Sequence, residues 1–402
     1  MEQAFSDVKV LDLTHHIAGP YCTKLLADYG ADVVKVEKPG EGDPARRLGP
    51  FPQDIPHPEK SGLFLHLNTN KRSVTLDLKS ATGQKVFREL VTDADILVES
   101  FRPGVMASFG LDYAALEKVN PRLVMASISN FGQTGPYRDF KASDLVLSGM
   151  GGSQSGSGVA EREPLKNASN VTLYLGGLYA LSGILAAFFV SQLQGEGQYL
   201  DLSLFELLVS FGDSRTPALM RYQIAGGTDA RRPQGALAAP WPPHATYPCK
   251  DGFVAWHALG RWKQVCAMLR RPDLLTDPRY ATPEARVKNN QEVNSILLDW
   301  MMARTKQQIW DDPLADDVIC GPCNTVEESF YDPHFRERGF WTEVEHPAVG
   351  KATIPGHPFI LHEAPWLLRR PAPLLGEHNA EVLGKLGYTK EDLVKMSESG
   401  VI

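Results

Sequence analysis

Two histidines, His15 and His16, stand where an apolar run, Val8 to Leu13, gives way to Ala18-Gly19-Pro20. Imidazoles titrate near neutrality, so a pair at the carboxyl end of a strand can exchange protons with a ligand in the crevice where open parallel sheets bind one. The same position suits one imidazole buried in a hydrogen-bonded core and another lining a turn. Lys35, Lys38, Arg46, Arg47, Lys71 and Arg72 follow strand-to-helix junctions and could hold phosphates, against the ordinary reading of a solvated basic face. CGPC at 320–323 spaces two thiols as in a redox dithiol or half a zinc site. It lies in an expected loop far along the chain, not at the start of a helix behind an N-terminal strand, and no second Cys pair or suitably spaced His pair completes a zinc site. It therefore reads as structural. Neither HExxH nor G-x-S-x-G occurs, so metalloprotease and α/β-hydrolase chemistry have no support.

The elements that must position these residues alternate. Val8 to Leu13 reads as a strand, Tyr21 to Tyr29 as a helix stopped by Gly30, and Ala31 to Glu37 as a second strand. Ser80 can cap a helix reaching about Val91, and strand patterns recur at 94–100 and 122–129. Such alternation predicts a parallel sheet covered by helices. Leu173 to Val190 carries no charge over 18 residues, the length of a membrane span. Its glycines, its lack of basic flanks and the strand-like YLDLSLFE that follows favour a helix buried in a large domain. The loop GMGGSQSGSG, 149–158, matches neither a dinucleotide fingerprint nor a P-loop, and reads as a loop near a ligand or a linker. After about residue 220 the texture changes to a smaller α+β unit, and 340–376 is Pro-rich, as in an extended connection over a surface.

The 402 residues carry 41 Lys plus Arg against 48 Asp plus Glu, a net charge of −7 without a long run of one sign. Nucleic acid and anionic membrane are therefore not expected partners. Five cysteines are too sparse for a disulfide scaffold, and MEQAFSDVKV lacks the segments of a signal peptide, so a cytoplasmic setting is expected.

VLDLTHHIAGPYCTKLLADYGADVVKVEKPGEGDPARR (10–47), LNTNKRSVTLDLKS (67–80), LVESFRPGVMASFGLDY (97–113), ASISNFGQTGPYRDFKASD (126–144), GILAAF with GEGQYLDLSLFE (183–206) and PAPLLGEHNAEVL (371–383) resemble family III CoA-transferases. These include formyl-CoA, carnitine and benzylsuccinate CoA-transferases and the α-methylacyl-CoA racemases. The resemblance implies an α/β fold: a Rossmann-like large domain with an inserted smaller α+β domain, two chains interlocking like rings. On that pattern, 1–200 is the N-terminal part of the large domain, 201–225 a linker, 226–330 the small domain, 331–376 a Pro-rich return linker, and 377–402 the C-terminal helices completing the large domain. It also implies no tightly bound cofactor, with coenzyme A or an acyl-CoA as ligand. His16, Ile17 and Ala18 match the loop around the pantetheine and phosphates, Lys38 a phosphate contact, Leu76 and Lys79 the adenine region, Phe101 the stretch after the third strand, and Lys141 a further CoA contact. His15 and Asp144 are possible lining residues.

The family's chemistry needs an ionised Asp that attacks the thioester and carries the acyl group covalently. That Asp lies ten residues before the Gly of GILAA; counting back from Gly183 gives Leu173, and from Asn167 to Gly197 the only acidic residue is Glu196. Leucine has no lone pair to form an anhydride. The family's CoA-binding Arg near RPGVMASFG is Ser108 here, and the Arg usual after the GILAA helix is Gln192. The expected role is thus a non-catalytic subunit interlocked with a homologous Asp-bearing chain, as in the succinyl-CoA:(R)-benzylsuccinate CoA-transferase of anaerobic toluene degradation. THHIAGPYC, PFPQDIPHPEKSGLF and YPCKDG resemble that branch. The alternatives are a stand-alone acyl-CoA racemase, isomerase or lyase using His15, His16 and Asp144, and an acyl-CoA-sensing structural protein.

Overall fold

The computed structural model describes residues 3–159, 161–210, 215–227 and 242–402. Short apolar runs form six parallel strands: β1 (Lys9–Leu13), β2 (Asp32–Glu37), β3 (Arg72–Thr75), β4 (Ile96–Glu99), β5 (Val124–Ser129) and β6 (Gln198–Ser203), in the spatial order β3-β2-β1-β4-β5-β6. That is the doubly wound order of dinucleotide-binding sheets, and its direction reverses between β1 and β4. Side chains alternate across the pleat, so Leu11, Leu13, Leu97 and Met125 enter one apolar layer while Val10, Ile96, Val98 and Ala126 enter the other.

The helix after β1 runs Ala18–Asp28, three residues earlier than the pattern predicts, because Ala18-Gly19-Pro20 forms its first turn, where proline's missing N–H does no harm. Ser80 caps Ala81–Val91 by accepting the Gly83 N–H at 2.9 Å. The charge-free segment becomes a 24-residue helix, Val171–Gln194, linking the β5 and β6 regions. By length and composition it is apolar enough to cross a membrane. One face packs on protein: a Cβ on Gly177 would lie 2.6 Å from the Ala18 carbonyl oxygen, and one on Gly176 would lie 2.3 Å from Leu204, so only glycine allows the close approach. Leu178, Tyr179, Phe189 and Leu193 are exposed.

Contacts divide the chain into two units. The first comprises 1–153, 166–227 and 336–402, so both ends of the chain share it; helices Asn379–Lys385 and Lys390–Glu398 bring Val382, Leu383 and Met396 into the layer that holds Val74. The second comprises 154–165 and 228–335. Its antiparallel sheet of β7 (His244–Cys249), β8 (Gly252–His257) and β9 (Cys320–Pro322) packs with helices Trp262–Leu269 and Asn290–Met302 around Trp256, Val265 and Leu297. The boundary expected near 226 borders residues 228–241, outside the described ones. Two expectations are corrected. CGPC is not a loop: Cys320 pairs with Trp256 across the sheet and is buried, while Cys323 is exposed, and both thiols are free. The Pro-rich stretch is not extended throughout, because Trp341–His346 and Gly350–Pro355 pair as a hairpin that keeps prolines at its ends.

Candidate active site

The turn from β1 into Ala18–Asp28 is clamped residue by residue. The Lys35 ammonium donates to the Thr14 carbonyl at 2.7 Å, the His15 N–H donates to Ser100 Oγ at 2.8 Å, and the His16 N–H donates to Asp43 Oδ1 at 3.0 Å. These three side chains come from β2 and from the connections after β4 and β2, so the turn is fixed only when the strands have assembled. His16 needs the clamp, since its φ of 64° is a left-handed conformation that side chains disfavour. A Cβ on Gly19 would collide with Thr14 at 2.2 Å, so glycine is required where the helix starts.

Beneath the turn lies a buried ionic cluster. Asp12 meets Lys71 at 2.9 Å and Lys35 at 3.8 Å, and Lys35 meets Asp43 at 3.0 Å. Burial pushes the Asp12 carboxyl up, but Lys35, Lys71 and the hydroxyls of Thr14 and Thr23 prevail and hold it well below the usual carboxylate range. Asp43 is also lowered: burial opposes, and Lys35 with the N–H groups of Ala45 and His16 prevails. Lys35 stays raised against burial through Asp12, Asp43 and Glu37, whereas burial wins at Lys71 and brings it to about 8. His15 is lowered by burial and by Lys35. The imidazole beside the sheet's switch point is thus biased to its neutral form, able to accept as well as donate.

Two cavities open at this end of the sheet. The larger, about 890 Å³, is lined among others by His15, His16, Ile17, Ala18, Phe101, Lys141, Asp144 and Leu173. The smaller, about 250 Å³, is lined by Lys38, Arg47, Leu76, Lys79, Phe101 and His15. Every residue that the resemblance assigns to CoA, together with His15, Asp144 and Leu173, therefore lines one cavity or the other, whereas Lys35, Arg46, Lys71 and Arg72 are tied up in ion pairs and line neither; His15 and Phe101, whose rings meet edge-on at 5.2 Å, line both. Asp144 is buried, with Lys166 Nζ 2.6 Å away as an ion-pair contact and no hydrogen-bond partner on either oxygen among the described residues. Leu173, in the first turn of the long helix, packs against the apolar layer beneath Ala18. Ser108 and Gln192 line neither cavity: the Ser108 hydroxyl donates to the Val105 carbonyl, and Gln192 accepts from Arg122 at 3.3 Å near the far end of the long helix.

Residue-level reasoning missed Ser100, Arg102, Ser129, Arg138 and Lys166, all of which line the larger cavity. Arg138 lies inside the motif GPYRDFKASD and Arg102 inside FRPG, so a signal was available. Lys166 and Ser129 carried none, because only the fold brings residues 129, 144 and 166 into one lining.

The cavities supply anchored cations, a neutral imidazole and an apolar floor, but Leu173 contributes no nucleophile to them. The chain matches the model of CoA-transferase family III over residues 5–379. It belongs to that family. The succinate–glutarate CoA-transferase of Agrobacterium fabrum is 36% identical over 390 residues, covering 95% of each chain. A formyl-CoA:oxalate CoA-transferase of Rhodopseudomonas palustris is 33% identical, covering 100% of this chain and 98% of that one, and the succinyl-CoA–D-citramalate CoA-transferase of Chloroflexus aurantiacus is 33% identical, covering 98% and 97%. Among solved structures, a CAIB/BAIF family protein from Brucella suis superposes with a TM-score of 0.85 at 30% identity, covering 96% of this chain and 100% of that one. The parallel sheet of this family III chain thus belongs to a fold seen in solved structures of the family.

Proposed function

We propose that this chain is a CoA-binding subunit of a family III CoA-transferase that lacks its own nucleophile and works beside a homologous chain bearing the catalytic Asp. The observation that carries this reading is Leu173: it lines the larger cavity at the position where the family resemblance expects the Asp, and residues 167–197 contain no other. Lys38, Leu76 and Lys79 would take the nucleotide end of CoA in the smaller cavity, and His16, Ile17, Ala18, Phe101 and Lys141 the pantetheine arm and its phosphates. The exposed apolar face of the long helix, with Phe189 and Leu193 each about two-thirds exposed, supports a partner chain packed against it. An interlocked pair, with residues 226–330 as the inserted domain and a cytoplasmic setting, belongs to the same reading.

The relatives above are named for succinate, glutarate, oxalate and D-citramalate, which supports succinyl-CoA as donor and a dicarboxylic acid as acceptor. The finer part of the proposal is that the acceptor is (R)-benzylsuccinate, on the resemblance of THHIAGPYC, PFPQDIPHPEKSGLF and YPCKDG to that branch. The test is CoA transfer from succinyl-CoA to benzylsuccinate, assayed with the chain alone and after coexpression with an Asp-bearing homologue. Activity only in the pair, with no acyl adduct on this chain by intact mass, is the expected result. Turnover by the chain alone would refute the subunit role, and variants of Asp144, His15 and His16 would then locate the chemistry.

A further inference from the structure

Arg102 lies in the turn after β4 and Arg138 on the connection after β5, and both line the larger cavity with Lys141. Arg138 reaches across to the first turn, its Nη2 standing 3.5 Å from where a Cβ on Gly104 would be. Lys166 already faces Asp144, and Arg138 meets only the adjacent Asp139 among the described residues, at 3.4 Å with both side chains exposed, a contact of little worth. The side chains of Arg102 and Lys141 have no hydrogen-bond or ion-pair partner among the described residues. Of the two carboxylates in the lining, Asp144 is taken by Lys166 and Asp139 is exposed, so the Arg102, Arg138 and Lys141 cations are left poorly balanced, and an anion entering between them relieves their repulsion. The smaller cavity has its own cations, Lys38, Arg47 and Lys79, for the phosphates of a nucleotide. With Lys141 given to the pantetheine arm, Arg102 and Arg138 are left for an anion on the acyl arm of the ligand.

We infer that Arg102 and Arg138 grip a free carboxylate at the end of the acyl group, so that the larger cavity favours acyl-CoAs derived from dicarboxylic acids. The planar guanidinium fork matches a carboxylate with two parallel hydrogen bonds, which an ammonium cannot do. This assignment rests on the CoA-binding reading above. Its test is calorimetric titration of the full chain, as wild type, Arg102→Gln and Arg138→Gln, with CoA, succinyl-CoA and butyryl-CoA, the last having the same four-carbon acyl chain without the terminal carboxylate. Wild type should prefer succinyl-CoA over butyryl-CoA by about ten- to a hundredfold, the worth of a charge-assisted hydrogen bond. Each variant should lose most of that preference while holding CoA and butyryl-CoA as before; both Arg side chains are exposed, so the fold should persist, which circular dichroism checks. Equal losses for all three ligands would assign the arginines to the phosphates of CoA and overturn the inference, as would a wild type that binds CoA without preference. A wild type that binds none of the three refutes the CoA-binding reading, and this inference with it.

Discussion

Replacing Glu99 with glutamine should make the protein more stable at pH 8 and change it little at pH 4. Glu99 ends β4, is 3% exposed, and accepts the Phe101 N–H at 2.7 Å on its Oε2. Its other polar neighbour is Ser127, whose Oγ accepts from the Tyr199 hydroxyl at 3.0 Å; no cation pairs with Glu99 among the described residues. Burial pushes its carboxyl up to about 7, Asp201 adds to the rise, and the hydrogen bonds from Ser127 and Phe101 restrain it. An unfolded carboxyl near 4.5 and a folded one near 7 differ by about 3 kcal/mol in the free energy of ionisation. The sign follows from proton counting. Between those two pH values the folded chain holds a proton that the unfolded chain has released, so wild-type stability falls as pH rises from about 4.5 to about 7 and is level beyond. Glutamine keeps a carbonyl acceptor for the Phe101 N–H and has nothing to ionise. The advantage of Glu99→Gln should therefore grow from near zero at pH 4 to about 3 kcal/mol at pH 8. Urea unfolding of both proteins across that range measures it through the midpoint, given unchanged slopes. Parallel pH curves for the two proteins would mean that Glu99 is already ionised in the fold and that a cation or water reaches it.

Lys35→Met should destabilise by about 3–5 kcal/mol, because it strips Asp12 and Asp43 of a shared buried partner, and thermal melting should fall accordingly. Acid should act on the same cluster: Asp12 and Asp43 are lowered in the fold, so their contribution is full above the ordinary carboxyl range near 4 and is lost as pH falls below it; a melting temperature unchanged down to pH 3 would refute this. Gly177→Ala, a change that gains about 1 kcal/mol in an exposed helix, should here cost about 1–3 kcal/mol, since its Cβ would press on the Ala18 carbonyl oxygen; a higher melting temperature would show that the two helices can part. Leu173→Asp should lower stability by about 1–2 kcal/mol and yield no native-like turnover, with melting and intact mass after succinyl-CoA as the measurements.

The alternation of strand and helix patterns, the Ser80 cap and the apolar helix were legible because each depends on neighbours in sequence. The first helix begins three residues earlier than its pattern because Ala18-Gly19-Pro20, which forms its first turn, carries no large apolar side chain to mark the period. The hairpin at 341–355 was hidden by the prolines around it, and CGPC was read as a loop because its strand exists only by pairing with β8, some 60 residues away in sequence. At the site, the family resemblance carried the cavity residues as far as motifs reach. The Lys35, Asp43 and Ser100 clamp stayed invisible, because its donors and acceptors meet only through the order of the strands.

That separation bears on the proposal that this chain has the fold without its own nucleophile. The turn at His15–Ile17 is held from below by the Asp12, Lys35, Asp43 and Lys71 cluster, and the long helix is held by Gly176 and Gly177 against Leu204 and Ala18. Residue 173 takes part in neither arrangement. A carboxylate there would stand over an apolar layer at a cost in desolvation, whereas Leu173 buries part of its side chain in that layer. On the proposed reading, leucine at 173 leaves the cavity without a nucleophile while none of these struts of the fold is disturbed.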